Sequence, residues 1–257
     1  MKEFDKLVEV IEKLRDKENG CPWDLKQTHE SLIPNFIEEL YESVEAIESK
    51  DYTHLSEELG DLMLHIIMQA QIAKEAGVFE IEEVLNKINT KLIHRHPHIF
   101  ADGHATDANG VKMNWERIKF EEKKKYRKSA IDGIPRAMPA LIVAQRMQEK
   151  AASVGFDWPD VGPAVDKLEE EIHEFIDVFQ QKDNEEMQNE LGDMLFSIVN
   201  ISRKLDFDTE SALRRTIDKF DNRFRKVEEH YRKNKKYMLD ASLEQLDEIW
   251  EIAKKDE

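Results

Sequence analysis

Glu170-Glu171-Ile172-His173-Glu174, then Gln181-Lys182-Asp183-Asn184, then Glu190-Leu191-Gly192-Asp193 is the stretch that decides the fold. Residues three apart on an α-helix share a face, so Glu171 with Glu174, and Glu190 with Asp193, project as pairs. Counted from Lys182, Glu174 and Glu190 both stand eight residues away, and Glu171 and Asp193 both eleven. A chain that reverses at Lys182 into two antiparallel helices therefore brings four carboxylates level. The first half repeats the design around Lys50: Glu42 and Glu58 lie eight residues from it, Glu39 and Asp61 eleven. The expectation is an all-α protein, a tandem repeat of two helical-bundle domains built on antiparallel helical hairpins.

Composition agrees with that reading. Only 9 Gly and 7 Pro occur in 257 residues, which favours helices and is long enough for two small domains. The single cysteine, Cys21, excludes an internal disulfide and fits a reducing cytosol. Acids occupy the start of the chain where a secretory signal needs an apolar run, and no stretch approaches the ~20 apolar residues of a membrane span. The expected protein is soluble, cytoplasmic and without a membrane partner. A net charge of −17 argues against a nucleic-acid polymer as partner. An anionic substrate would need bound cations and locally placed Lys or Arg.

In chain order, apolar periodicity predicts helices over about 4–18, 32–48 and 53–76, and one from Ile81 toward His94-Arg95-His96-Pro97. A loop over 101–112 and a short helix around Trp115 follow. The basic run Lys123-Lys124-Lys125-Tyr126-Arg127-Lys128, continuing through Gly133 and Pro135, reads as a linker. The expected division is a first domain 1–122, a linker 123–136 and a second domain 137–257. The second half replays the first with helices over 138–153, a hairpin 164–204, a long helix 209–233 and a last helix 242–254. Ser242 and Gln245 form a capping box for that last helix.

Asp61 and Asp193 sit in apolar helical runs, where a buried carboxylate without a partner costs several kcal/mol and needs a cation. Gly60 and Gly192 each cost a helix interior about 1 kcal/mol relative to alanine, which a close helix approach would explain. All-carboxylate oxygen sites suit Mg²⁺, Mn²⁺ or Ca²⁺ better than zinc. A di-iron centre would want Glu-x-x-His on two helices, and only Glu170 with His173 supplies that spacing. His94, His96 and His98 read as helix-end residues facing the last carbonyls. Lys219 and Arg223, four apart, and Lys91 and Arg95, their counterparts, each make a cationic face suited to phosphate. Trp250 and Trp115 follow in the respective halves and offer stacking planes for a base.

These residues match a known family. The two Glu-Glu-x-x-Glu and Glu-Leu-Gly-Asp segments, with Gly20-Cys21-Pro22-Trp23-Asp24, Arg95-His96-Pro97-His98 and Val154-Gly155-Phe156-Asp157-Trp158, resemble the two-domain form of the MazG nucleotide pyrophosphohydrolases. The resemblance implies MazG-like helical domains, a homodimer, and Mg²⁺-dependent hydrolysis of nucleoside triphosphates, ATP included, to monophosphate and pyrophosphate with broad base tolerance. It implies Glu171, Glu174, Glu190 and Asp193 as metal ligands, with Glu39, Glu42, Glu58 and Asp61 as the first-half set. Lys167, Lys219, Arg223 and Trp250 become nucleotide contacts, and Lys91, Arg95 and Trp115 their first-half candidates. Glu170 or Glu171 is the candidate for orienting or deprotonating the attacking water. Asn35 stands where the second half has Lys167, which makes the second half the expected main catalytic centre, although Asn189 replaces the acid Glu57 there. A metal-stabilised dimerisation module, and a hydrolase of another pyrophosphate such as guanosine tetraphosphate, are the alternatives.

Overall fold

The computed structural model describes residues 2–101, 110, 111, 114, 115, 118, 119, 122 and 128–255. Among them there is no strand, and the chain separates into two compact units, Met1–Val111 and Lys112–Glu257. The expected loop over 101–112 and the basic run 123–128 fall largely outside the described residues. The described positions between 110 and 122 are helical. Trp115, placed by sequence in the first half, lies in the second unit and lines a cavity there with Gln145, Arg146 and Lys150.

The first unit contains α1 (Lys2–Leu14), α2 (Ile33–Ser49), α3 (Tyr52–Glu75), α4 (Ile81–Arg95) and α5 (Pro97–Phe100). α1 stops at Leu14 rather than near residue 18. The Asp16 carboxylate accepts the N–H groups of Glu18 and Asn19 at 3.1 and 2.8 Å, and Cys21 N–H donates to Leu14 O at 2.8 Å, so a local turn outcompetes another helical turn. Gly20 belongs to that turn because a Cβ there would strike the carbonyls of Asp16 and Leu14. α1 packs on α3, and Ile11, Leu32, Ile67, Met68, Ala70 and Ile81 close the core.

The second unit contains α6 (Ala140–Ser153), α7 (Gly162–Gln181), α8 (Asn184–Lys204), α9 (Thr209–Lys233) and α10 (Leu243–Lys255). The capping box is formed: Ser242 N–H donates to Gln245 Oε1 at 3.0 Å, and Gln245 N–H to Ser242 Oγ at 3.4 Å. α6 packs on α8 and α9, and α10 on α9.

Both hairpins reverse where the count of acids placed the pivot. Lys50 and Lys182 end their helices in the left-handed region, each at φ 59°. The next residue caps the following helix: Asp51 accepts from Thr53 and His54 N–H, and Asp183 from Glu185 and Glu186 N–H. A left-handed residue followed by an N-cap is a two-residue reversal, which keeps the two arms in register.

The hairpin helices are less enclosed than their apolar sequences suggest. Leu40, Leu59 and Ile47 on the first hairpin, and Ile176, Phe179, Leu191 and Leu195 on the second, are all exposed. A Cβ at Gly60 or Gly192 would meet nothing within 4 Å, so the close approach expected at these glycines does not occur among the described residues. No helix among the described residues is long and apolar enough to cross a membrane.

Candidate metal centres

Each hairpin brings three acids together. Carboxylate oxygens of Glu39, Glu58 and Asp61 lie within 4.8 Å of one another, and so do those of Glu171, Glu174 and Glu190. The fourth member of each set, Glu42 and Asp193, stays outside that radius but acts electrostatically on it. Burial also falls differently from the sequence expectation. Glu58 and Glu171 are the enclosed acids, each 5% exposed, whereas Asp193 is exposed. Residues seven apart on a helix share its face, so the apolar run around Asp193 did not show which neighbours would cover it.

The two centres balance their charge differently. In the second, Lys167 Nζ bridges Glu170 Oε1 and Glu171 Oε1, both at 2.8 Å, and these hydrogen bonds hold the ammonium firmly protonated. In the first, Asn35 offers no such cation. His54 Nε2 meets Glu58 Oε1 at 2.7 Å, and His65 Nε2 faces Glu39 Oε1 at 3.9 Å. His65 was not singled out from the sequence, although it stands one turn after Asp61 on the same face.

Glu39 records the missing cation. Burial, and then the charges of Asp61, Glu42 and Glu58, push its carboxyl up to about 7. Glu190 is likewise raised by burial and by Glu174, Glu171 and Asp193. A raised carboxyl contributes stability below its unfolded value of 4.5 and loses it as pH climbs through the folded value. Chelated protein should therefore become less stable between about pH 4.5 and pH 7, by roughly 3 kcal/mol at most from Glu39. Glu39→Gln should flatten that slope. Thermal melts across this range with EDTA present check it, and an unchanged slope in the variant rejects the assignment.

Beside the second centre lies a cavity of about 590 Å³, whose lining includes Lys167, Glu171 and Asp193 together with Met147, Phe156, Trp158 and Phe196. Its loop is clasped in place. Asp157 binds Arg203 through both carboxylate oxygens and also meets Lys204 Nζ at 2.9 Å, while Lys204 donates to Trp158 O. Burial raises the Asp157 carboxyl, but these hydrogen bonds and charges outweigh it and bring it down to about 2. Neither Trp158 nor Phe156 was selected from sequence as a site residue.

Of the remaining candidates, Arg223 lies over the Trp250 ring at 5.8 Å, and Phe220 packs on the same ring at 5.1 Å. Lys219 is exposed, Lys91 is exposed, and Arg95 is buried. None of Lys219, Arg223 and Trp250 lines the cavity beside the acids. His96 Nδ1 meets Leu92 O at 2.7 Å, the helix-end role expected of it.

Paired helical hairpins with facing carboxylates define a class of all-α protein whose acids can hold a hard divalent ion. The model of the MazG nucleotide pyrophosphohydrolase domain matches residues 27–100 and 164–228. The chain is 48% identical over 98% of its length to a nucleoside triphosphate pyrophosphohydrolase/pyrophosphatase MazG from Thermotoga maritima, covering 95% of that protein. It is 42% identical over its full length to a nucleoside triphosphate pyrophosphohydrolase from Escherichia coli, covering 99% of it. The chain belongs to the MazG nucleotide pyrophosphohydrolase family, in its tandem all-α form, and is an enzyme of that family.

Proposed function

We propose that this protein hydrolyses nucleoside triphosphates, ATP among them, to the monophosphate and pyrophosphate, with Mg²⁺ or Mn²⁺ held by the hairpin acids and the second half as the main centre. The observation that carries the reading is the trio Glu171, Glu174 and Glu190 within 4.8 Å, opening beside a cavity of nucleoside size. The donor set fits the ion: all-oxygen ligands from two helices suit Mg²⁺. A divalent ion bound there supplies positive charge for the phosphate oxygens and makes water more acidic.

The protein's own groups do the rest. Glu170, whose carboxylate is half exposed and paired to Lys167, orients or deprotonates the attacking water. Lys167 is shared between Glu170 and Glu171, and its ammonium would be available to a phosphate were Glu171 to hold the ion. Lys219 and Arg223 are the further cations for the triphosphate. Trp158 and Phe156 present aromatic faces, which accept any base and so support broad tolerance. A homodimer would cover the exposed faces around Leu40, Leu59, Ile176 and Leu191 and fill the open side of Gly60 and Gly192.

Incubation with ATP and Mg²⁺, followed by ³¹P NMR, should give AMP and pyrophosphate, with EDTA stopping the reaction. ADP and phosphate as products would overturn the reading. A shift in melting temperature on chelation, with no hydrolysis to lose, would favour a metal-stabilised interaction module instead.

A further inference from the structure

Only part of the wall of the cavity beside the second centre is carried by helices. Met147 stands on α6 and Phe196 on α8, whereas Phe156 and Trp158 belong to the loop between α6 and α7. A helix holds its side chains through its own backbone bonds, but a loop must be tied from outside. The α6 end of this loop is fixed by its turn: Gly155 takes φ 91°, and the N–H groups of Gly155 and Phe156 donate to Ala152 O and Ala151 O, both at 3.0 Å. Trp158 lies beyond that turn.

The ties that reach it come from α8. Arg203 donates to both oxygens of Asp157, through Nη1 at 3.1 Å and Nη2 at 2.5 Å, and Lys204 donates to the Trp158 carbonyl. The guanidinium is itself aimed by Asn200, whose Oδ1 accepts from Nε at 3.2 Å and from Nη2 at 2.7 Å. A two-pronged contact fixes direction as well as distance. The side chains of Arg203 and Lys204 are each only 11% exposed, so solvent and salt screen the clasp weakly. The first hairpin has no such device in register. Asn200, Arg203 and Lys204 stand seven, ten and eleven residues after Asp193, and the same counts from Asp61 give Met68, Gln71 and Ile72. Met68 is packed in the core, and Gln71 Nε2 donates to Glu75 Oε1 at 3.1 Å.

We propose that Arg203, aimed by Asn200, is a positioning residue for the nucleoside half of the substrate, acting through Asp157 to hold Trp158 against the base. Lys167, Glu171 and Asp193 are rooted in α7 and α8, so the phosphate half does not depend on the clasp. A loop already held in its binding conformation spares the cost of ordering it when the nucleotide arrives. Loss of the clasp therefore weakens nucleotide binding and leaves the chemical step nearly intact. The inference rests on the reading of the second half as the nucleotide centre.

The test is steady-state hydrolysis of ATP by the full chain in Mg²⁺, with inorganic tripolyphosphate as a competitor that carries phosphates and no base. Arg203→Met should raise KM for ATP about 10-fold with kcat within about threefold, and leave the inhibition constant of tripolyphosphate within about twofold. Lys204 still meets Asp157 in this variant, so the carboxylate keeps a partner, and circular dichroism checks that the fold is retained. Arg203→Lys should recover part of the KM. Trp158→Ala should raise KM similarly, and adding Arg203→Met to it should cost little more, because both changes act on one contact. An unchanged KM in Arg203→Met, a fully additive double variant, or an equal weakening of ATP and tripolyphosphate would overturn the positioning role. A wild-type chain that does not hydrolyse ATP would overturn the reading on which it rests.

Discussion

Glu174→Gln and Asp193→Asn should each cut pyrophosphate release by on the order of a hundredfold or more, while the metal-free protein becomes slightly more stable. Glu174 is one of the three acids that converge, and replacing its carboxylate by an amide keeps the shape but removes a charge from the proposed metal site. On the proposed function, the loss corresponds to several kcal/mol of charge stabilisation that a bound divalent ion would supply to the phosphates. The stability change has the opposite sign because the carboxyl of Glu190 is already held above its ordinary value by burial and by the charges of Glu174, Glu171 and Asp193. Removing one of these charges relieves repulsion in the folded state. Asp193 lies outside the closest trio but lines the cavity, so its amide should weaken substrate-linked ion binding more than binding of the ion alone. Pyrophosphate release and chelated thermal melts measured on the same samples separate the two effects. Full activity in both variants would end the assignment of the second centre. The matching pair in the first hairpin, Glu42→Gln and Asp61→Asn, should cost far less turnover, since Asn35 leaves that centre without the lysine that Lys167 provides.

That asymmetry was legible in the sequence, and so was most of the scaffold. Equal counts of residues on either side of Lys50 and Lys182 specify where two helices must reverse, and a polar Lys-Asp pair is suited to a left-handed residue followed by an N-cap. Helix ends set by local hydrogen bonds were harder. The Asp16 turn that ends α1 competes with a helix only because Cys21 N–H reaches Leu14 O, a contact that periodicity does not encode. Burial was misjudged for a related reason. Apolar residues surround Asp193, but Leu191, Leu195 and Phe196 remain exposed, and the enclosed acid is Glu171 on the facing helix. The aromatic wall of the cavity was hidden because Trp158 is brought there by a clasp between Asp157 and two cations on α8, far along the chain.

Arg15→Met should lower the stability of the first unit by roughly 3–5 kcal/mol, the range for breaking one side of a buried ion pair. Arg15 is 6% exposed and spends its guanidinium on three partners. Nε and Nη2 grip the two oxygens of Glu75 at 2.9 and 2.8 Å, while Nη1 donates to the carbonyls of Asp24 and Gln27. One side chain thus ties the end of α3 to the segment that leads into α2, the helix carrying Glu39. Methionine fills comparable volume, so the loss comes from a carboxylate left with only the Gln71 amide and from the hydrogen bonds lost at the Asp24 and Gln27 carbonyls, rather than from a cavity. At about 4–8 °C per kcal/mol for a unit of this size, scanning calorimetry should show the first-unit transition falling by more than 10 °C. The sign of the pH dependence is fixed by Glu75, whose carboxyl is lowered chiefly by the Arg15 hydrogen bond. The pair's stabilisation is present above the ordinary glutamate value of 4.5 and fades as pH falls, so the deficit of the variant should shrink in acid. Arg15→Met combined with Glu75→Leu should recover part of the loss, because removing both charges leaves no buried ion unpaired. A first-unit transition within about 2 °C of wild type at neutral pH would show that the guanidinium is not what holds α2 and its acids in place.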